Sequence, residues 1–321
     1  MILTLIEHAQ GALSERTLEM LTLARTLAKN SDTMLEAILI GEAGDDLAGQ
    51  LAAYGVSRAH LIQHESLSDY APDAWAQSMV QVAEAESPIA VFAPSSERGN
   101  EVLARVAAKM SLPMVSNCVE IEPGDPCKIT RTRWGGSLLE EATYTAKMKL
   151  FTVAPFMVTP EEAPISGELE LNTVTPTLDD KDLRVRVVEK VPAAEGVSIT
   201  DASVVVGGGR GVGSPEGFGA LEELAELLDG VVGCSRVATD SGWRSHSVQV
   251  GQTGARISPD LYIACGISGA TQHWVGCMGS EKILTINTDP EAAMVIKADY
   301  AIIGDLHEVL PALSAELRKL K

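Results

Sequence analysis

The fold of the C-terminal part is decided by Val204-Val205-Val206-Gly207-Gly208-Gly209-Arg210-Gly211-Val212-Gly213-Ser214. The valines predict a buried β-strand, the glycines predict a turn, and Pro215 to Leu228 is predicted to be a helix. Further strands are predicted at Leu261 to Cys265, Lys282 to Ile286 and Tyr300 to Ile303, and further helices at Gly269 to Val275 and His307 to Leu320. Buried strands that alternate with helices indicate a doubly wound α/β domain with a parallel sheet.

The glycine-rich turn matches neither of the two common nucleotide-binding motifs. The sixth position of G-x-G-x-x-G is Val212, Ser214 or Glu216 in the three possible frames, and no lysine follows for a P-loop. Glycines nevertheless let a backbone approach phosphate closely, a helix N-terminus attracts anions, and Arg210 is suited to bind an oxyanion. An anion site and a flexible turn both remain open for this segment.

The N-terminal part alternates short apolar runs with helical patterns, which predicts a second parallel sheet. Its predicted strands and helices are Ile2 to Ile6, a helix capped by Ser14, Met34 to Ile40, Arg58 to Gln63, Ala74 to Ala85, Pro88 to Ala93, and Glu97 to Met110. From Met114 to Lys190 the pattern is β-rich, with added strands that include a half-exposed one over Thr175 to Val191. The predicted organisation is an α/β domain over 1–191, a linker over 192–201 centred on Pro192 to Gly196, and a second domain over 202–321.

Composition excludes several classes of function. Acidic residues number 44 against 25 basic ones, a net charge of -19 that argues against binding of nucleic acid through its phosphates. The five cysteines form no C-x-x-C pair, so zinc and iron–sulfur spacings are absent. No apolar run is long enough for a membrane span, and the N-terminus is interpreted as a strand and not as a signal peptide. A cytoplasmic, bacterial location is expected, and a mitochondrial one only if a transit peptide was removed.

The C-terminal part contains four further polar segments, and three of them follow predicted strands, where open α/β sheets bind ligands. Ser235-Arg236 follows Val231-Val232, and Arg236 is either a ligand-binding residue or half of a surface ion pair. Gln249-Val250-Gly251-Gln252-Thr253-Gly254 offers an amide and a hydroxyl to a polar ligand, or is a tight loop. Asn287, Asp289 and Asp305 suit ribose hydroxyls or cap helices.

The segment Leu261 to His273 carries the most distinctive pattern. Backbone amides after Gly266 and the Ser268 hydroxyl suit a pyrophosphate. A serine nucleophile is not indicated, because Ala270 breaks the G-x-S-x-G frame. His273 is either structural or placed to stabilise negative charge on a ligand.

These segments together resemble the alpha subunit of electron-transfer flavoproteins. Residues 261–287 follow the family pattern L-Y-I-A-x-G-x-S-G-x-[IV]-Q-H-x-x-G, six residues, then [IV]-x-A-[IV]-N, departing only at Thr271 and Thr285. Gly-Arg-Gly, Ser-Arg, Gln-Val-Gly-Gln-Thr-Gly and Gly-Asp-Leu blocks fall in the family's order. The resemblance extends more weakly to Ile6-Glu7-His8 and Ala93-Pro94-Ser95 in the N-terminal part.

The resemblance implies that FAD binds in the C-terminal domain. Arg236 would place positive charge by the flavin ring, the Thr253 hydroxyl would approach its N5 atom, and His273 would lie near a pyrimidine carbonyl, so that Arg236 and His273 raise the reduction potential. The implied cofactor-binding residues are Arg210, Ser235, Arg236, Gln249, Val250, Gly251, Gln252, Thr253, Ser268, Gly269, Ala270, Thr271, Gln272, His273, Asn287, Asp305 and Leu306.

The resemblance also implies partners. A beta subunit would complete a heterodimer, in which the N-terminal domain packs against it and the FAD domain swivels about the linker. Flavin-containing dehydrogenases would donate electrons, and a quinone oxidoreductase or similar protein would accept them, so the chain is expected to be an electron carrier without a catalytic residue. Three alternatives remain: an electron-bifurcating form that uses NADH and ferredoxin, a stand-alone flavin oxidoreductase, and a nucleotide-binding module built on the N-terminal half.

Overall fold

The computed structural model describes residues 1–9, 11–41, 45–136, 138–164, 169–187 and 198–320. The chain forms two compact units, one of Met1–Trp134 with Leu138–Lys190 and a second that is mainly Val191–Lys321. The predicted linker segment Pro192 to Gly196 lies outside the described residues, so the domain boundaries stay a prediction. No helix in the described ranges is long and apolar enough to cross a membrane.

The first unit is a sheet of nine described strands in the order β11-β5-β4-β1-β6-β10-β7-β8-β9. The sheet is parallel except at β8, which pairs antiparallel with β7 and β9. The strands of the unit, including the small β2–β3 hairpin, are β1 Ile2–Leu5, β2 His8–Ala9, β3 Ala12–Leu13, β4 Leu35–Ile40, β5 Arg58–Ile62, β6 Ala90–Pro94, β7 Met114–Glu122, β8 Cys127–Arg133, β9 Leu138–Tyr144, β10 Lys149–Val153 and β11 Glu170–Val174. Its helices are α1 Glu15–Asn30, α2 Asp45–Ala53, α3 Pro72–Glu86 and α4 Glu97–Met110.

Helix ends in this unit follow the capping residues in the sequence. The Ser14 hydroxyl accepts a hydrogen bond from the Thr17 amide at 3.2 Å, and the Ser96 hydroxyl accepts one from the Gly99 amide at 2.8 Å. The predicted bounds of α4 are confirmed to the residue. Central strands such as β4 and β6 are buried along their whole length, because helices cover both faces of a parallel sheet.

The strand predicted over Thr175 to Val191 is wrong in its described part. Residues 175–187 contain a short 3₁₀ turn, Asp180–Leu183, and the edge strand of the sheet lies just before them as β11. The turn forms because the buried Asp182 carboxylate accepts hydrogen bonds from the Asp179 amide at 3.1 Å and from Lys109 Nζ at 2.9 Å. Residues 188–191 lie outside the described residues.

The second unit is a five-stranded, fully parallel sheet in the order β13-β12-β14-β15-β16. One hydrophobic cluster contains α5 and α9 residues, and a separate one contains residues of α7 and α8, so the doubly wound fold is confirmed. The strands are β12 Val204–Gly208, β13 Val231–Cys234, β14 Leu261–Cys265, β15 Lys282–Asn287 and β16 Tyr300–Ile303. The helices are α5 Gly219–Leu227, α6 Arg236–Asp240, α7 Thr271–Cys277, α8 Ala293–Lys297 and α9 Leu306–Leu320.

Two helices of this unit begin later than predicted. The segment Pro215 to Leu228 starts with a 3₁₀ turn, Glu216–Phe218, and becomes α-helical only at Gly219. Helix α7 was expected from Gly269, but that glycine has a φ of 79°, which is outside the right-handed helical region. The helix therefore begins at Thr271.

Candidate cofactor site

The predicted cofactor residues gather at one edge of the second sheet. Strand β12 lies between β13 and β14, so the chain first builds the sheet to one side and then to the other. The crevice beyond the carboxyl ends of strands at such a switch point is the usual ligand position. Arg210 follows β12, Ser235 and Arg236 follow β13, residues 268–273 follow β14, Asn287 ends β15, and Asp305 and Leu306 follow β16.

The glycines after β12 serve close packing between two loops. The Gly209 amide donates to the Cys265 carbonyl at 2.9 Å, and the Gly211 amide donates to the Gly266 carbonyl at 3.1 Å. A Cβ atom on Gly209 would lie 2.4 Å from the Gly266 oxygen, and one on Gly211 would lie 2.7 Å from the Gly266 Cα. The turn is thus tightly held by its neighbour, and Arg210 projects from it as an exposed cation without an ion pair to any described residue.

Ser235 and Arg236 differ in what already contacts them. The Ser235 amide donates to the Gly208 carbonyl at 2.9 Å, while its buried Oγ finds no hydrogen-bond partner in the part of the chain that the structure describes. Arg236 Nε lies 3.4 Å from Asp240 Oδ2, which is the surface ion pair considered as an alternative. With 65% of the arginine side chain exposed, this pair is weak and leaves the guanidinium free to turn towards a ligand.

The segment 249–253 is hydrogen-bonded both to the end of β13 and to the first turn of α7. The Val250 amide donates to the Cys234 carbonyl at 2.8 Å, and the Gln252 amide donates to the Gln272 carbonyl at 2.7 Å. The buried Gln249 side chain donates through Nε2 to the Thr253 hydroxyl oxygen at 3.0 Å. Because that oxygen accepts a hydrogen bond, the proton of the exposed Thr253 hydroxyl remains available for a ligand.

The first turn of α7 presents a polar, exposed surface. Ser268, Ala270, Thr271 and Gln272 are exposed, whereas Gly269 is buried. A Cβ atom on Gly269 would lie 2.3 Å from the Met294 amide nitrogen, so this position requires glycine for packing against α8 as well as for its positive φ. The motif therefore places backbone amides and one serine hydroxyl at the crevice.

His273 is buried and neutral. Its Nε2 lies 2.8 Å from the Tyr262 hydroxyl, and its Nδ1 has no hydrogen-bond partner of normal geometry among the described residues. Burial lowers the pKa of His273 to about 4, and the backbone of Val250 opposes this effect only in part. The side chain is therefore uncharged at neutral pH and can act on a ligand only through a hydrogen bond.

Three residues of the predicted cofactor set, Asn287, Asp305 and Leu306, already contact other parts of the second unit. Asn287 Nδ2 donates to the Ile267 carbonyl at 2.9 Å, and Asp305 Oδ1 accepts from the His307 amide at 2.9 Å at the start of α9. Capping, the alternative considered for Asp305, is thus its observed contact. Leu306 belongs to the hydrophobic core. Asp305 is exposed, so its carboxylate has room for a further partner.

The free groups at this edge suit a flavin nucleotide. Ser235 Oγ and His273 Nδ1 are both buried polar atoms without partners in the described part of the chain, and such atoms normally pair with a ligand or water. Arg210 and Arg236 add exposed positive charge for phosphate or ring oxygens. A metal is not indicated, since the described ranges hold no group of three metal-ligating side chains and all five cysteines are buried thiols.

Two residues beside the predicted set escape sequence reasoning. Tyr262 contacts His273, and the Thr239 hydroxyl lies 2.7 Å from Gln249 Oε1. A hydroxyl-bearing side chain in the middle of the apolar strand β14 was a usable signal for Tyr262. Nothing in the sequence around Thr239 distinguishes it from an ordinary helix residue.

Comparison with known proteins identifies the family of both units. The family model for the electron transfer flavoprotein FAD-binding domain matches residues 198–278, and that for the electron transfer flavoprotein domain matches residues 2–179. A protein of Bacillus subtilis (strain 168), "Electron transfer flavoprotein subunit alpha", is 36% identical over 99% of this chain and 98% of its own length. A Megasphaera elsdenii protein of the same name is 35% identical over 100% and 97%, respectively.

A third relative, "Protein FixB" of Clostridium saccharobutylicum, is 35% identical over 98% of this chain and 95% of its own length. The two domain matches cover more than half of the chain, and the similarity to these relatives extends over nearly its full length. The chain therefore belongs to the alpha-subunit family of electron transfer flavoproteins, and its second unit is the family's FAD-binding domain.

Proposed function

We propose that this chain pairs with a beta subunit and carries electrons on an FAD held at the carboxyl edge of β12, β13 and β14. Flavin-containing dehydrogenases donate the electrons, a quinone oxidoreductase or similar protein accepts them, and the exchange takes place in the bacterial cytoplasm. The observation that carries the proposal is the pair of free, buried polar atoms, Ser235 Oγ and His273 Nδ1, at that edge.

Each group at the edge has a distinct task in holding FAD. Ser235 and His273 hydrogen bond to the flavin ring, and the Thr253 hydroxyl donates to its N5 atom, because Gln249 occupies the hydroxyl oxygen. Arg236 places positive charge beside the ring, and Arg210 binds phosphate oxygens. FAD supplies the capacity to accept and release electrons singly.

Transport of electrons agrees better with these residues than substrate conversion does. A flavin enzyme that moves a proton to or from its own organic substrate works best with an acid or base of near-neutral pKa beside the ring. The pKa of His273, about 4, is too low for that task, and Asp305 caps a helix. A carrier needs no proton donor of this kind, since the partner proteins hold the substrates.

The experiment is a visible spectrum of the purified chain with and without its beta partner, recorded during reductive titration with dithionite. We expect the absorbance of bound FAD to persist through gel filtration of the heterodimer and to bleach reversibly. Turnover with small organic substrates should be absent until a dehydrogenase is added. A colourless heterodimer after supply of FAD would contradict the proposal.

A further inference from the structure

Tyr262 is the only described hydroxyl group that contacts His273, and its position is tightly constrained. The side chain is fully buried in β14, with its oxygen 2.8 Å from His273 Nε2. A Cβ atom on Gly207 of the neighbouring strand would lie 2.2 Å from that oxygen, so the hydroxyl occupies space left by a glycine. The hydroxyl therefore cannot move away from the imidazole without repacking two strands.

Counting of donors and acceptors selects one protonation form of the imidazole. If Nε2–H donated to the tyrosine oxygen, two buried groups would lack partners, namely the Tyr262 proton and the Nδ1 lone pair. If the Tyr262 hydroxyl donates to Nε2, only the Nδ1–H lacks a partner. Because an unpaired buried polar group is costly, the arrangement that leaves only one of them is favoured.

The ionisation states of both groups are compatible with this arrangement. Complete burial raises the pKa of Tyr262 well above its usual value, so the hydroxyl keeps its proton and can donate it. Burial keeps His273 neutral down to about pH 4, so one ring nitrogen is free to accept. The backbone of Val250, in the segment expected to line the flavin, interacts favourably with the imidazole, although Nδ1 has no hydrogen-bond partner of normal geometry among the described residues.

We propose that Tyr262 is a positioning residue that holds His273 as the neutral Nδ1–H tautomer, so that the imidazole offers an N–H donor to the cofactor. The identity of the acceptor, a carbonyl oxygen of the flavin pyrimidine, rests on the proposed function. The tautomer itself does not, because it follows from contacts within the chain. Tyr262 then contributes to the site without touching FAD.

The test is nitrogen-15 NMR of histidine-labelled full chain, first without FAD, with His273→Gln used to assign the His273 signals among the six histidines. In the unsubstituted protein we expect Nδ1 to carry the proton and Nε2 to be unprotonated. In Tyr262→Phe, which keeps the ring and removes only the hydroxyl, the ratio of the two tautomers should shift at least tenfold towards Nε2–H. Protonated Nε2 in the unsubstituted chain would overturn the inference even if the variant failed to fold.

Tyr144→Phe is the matched control. Tyr144 is also a buried tyrosine, whose hydroxyl donates to the Pro113 carbonyl at 2.6 Å and accepts from the Leu150 amide at 3.2 Å in the first unit. Its loss should destabilise the chain and leave the His273 signals unchanged. An identical His273 spectrum in Tyr262→Phe would show that Tyr262 only fills space and would overturn the inference.

A second measurement joins the inference to the cofactor. In the FAD-loaded heterodimer, Tyr262→Phe should lower the flavin midpoint potential, because a donor to the reduced ring is lost, whereas Tyr144→Phe should not. If Tyr262→Phe shifts the tautomer but the unsubstituted heterodimer retains no FAD, the role of Tyr262 in setting the tautomer stands and the proposed function is contradicted. Bound FAD with an unchanged tautomer would overturn the inference alone.

Discussion

The carboxyl edges of the two sheets use their polar residues in opposite ways. In the first unit, Glu7 follows β1 and accepts a short hydrogen bond from the Ser96 hydroxyl after β6, while Ser95 donates to Asn117 Oδ1 at 2.6 Å. In the second unit, Ser235 Oγ and His273 Nδ1 find no partner within the described chain. One edge is closed by its own side chains, and the other keeps donors for a ligand.

This difference explains why two similar parallel sheets need not both bind nucleotides. Open α/β sheets share the crevice at the switch point, but a crevice binds a ligand only if polar groups there are left unpaired. Ser96 also caps α4, so its hydroxyl is committed to the fold. The alternative of a nucleotide-binding module in the N-terminal half has no support from these side chains.

The largest expected effect comes from closing the crevice of the second unit. Gly209→Ala places a Cβ atom 2.4 Å from the Gly266 oxygen, a backbone atom that cannot easily move. We expect a loss of about 3 kcal/mol in the free energy of unfolding and loss of FAD retention. Urea unfolding and gel filtration with FAD measure both. Gly219→Ala, which meets nothing within 4 Å at the start of α5, is the control and should have no such effect.

The two units should respond to pH in opposite directions. Burial lowers the pKa of His273 to about 4, so the unfolded chain binds a proton there at a higher pH than the folded chain does. The free energy of unfolding of the second unit should therefore fall by about 2 kcal/mol as the pH is lowered from 7.5 to 5. Burial raises the pKa of Glu19 in the first unit to about 7, against the opposing hydrogen bond from the Phe156 amide. Glu19 binds its proton more tightly in the folded chain, so the free energy of unfolding of the first unit should rise by about 2 kcal/mol over the same change of pH.

Hydrogen exchange followed by mass spectrometry reports the two units separately and measures these changes. Glu19→Gln should reduce the pH dependence of the first unit alone, and His273→Gln that of the second unit alone. Parallel pH dependence in both units would contradict the assigned burial of these groups.

A smaller effect separates binding from stability. Ser235→Ala removes a hydroxyl that has no hydrogen-bond partner among the described residues. The free energy of unfolding without FAD should therefore change by less than about 0.5 kcal/mol, while FAD affinity should fall about tenfold. Ser96→Ala should do the reverse, costing about 1 kcal/mol of stability with unchanged FAD affinity. Fluorescence titration with FAD and urea unfolding give the four values. A stable Ser235→Ala heterodimer with full affinity would remove Ser235 from the site.

The smallest effect concerns the surface pair of Arg236 and Asp240. Asp240→Asn should change stability by less than about 0.5 kcal/mol, because the pair is exposed. It should also raise the flavin potential slightly, since the guanidinium is then free to face the ring. Potentiometric titration measures the shift, and an unchanged potential in both Asp240→Asn and Arg236→Gln would exclude Arg236 from the ring.

Local signals in the sequence predicted most elements, and long-range contacts explain the failures. Helix α4 and strand β14 were predicted to the residue, because a capping serine and a buried apolar run mark them. The strand over Thr175 to Val191 was wrong, because Lys109, distant in the chain, binds Asp182 and stabilises a turn. Helix α2 was not predicted.

The candidate site divides in the same way. Motif spacing located the loops after β12, β13 and β14, since those residues are contiguous in the sequence. Spacing in the sequence could not predict which hydrogen-bonding atoms of Ser235 and His273 stay unpaired, or that Tyr262 contacts His273. Both depend on packing between loops. The neutral state of His273 has the same origin, because burial lowers the pKa of its imidazole.

The most direct test of the central claim is an experimental structure of the FAD-loaded heterodimer. We predict that the flavin ring lies at the carboxyl edge of β12 and β14, within hydrogen-bond distance of Ser235 Oγ and the His273 imidazole. An FAD bound to this chain elsewhere, for example at the edge closed by Glu7 and Ser96, would contradict the account.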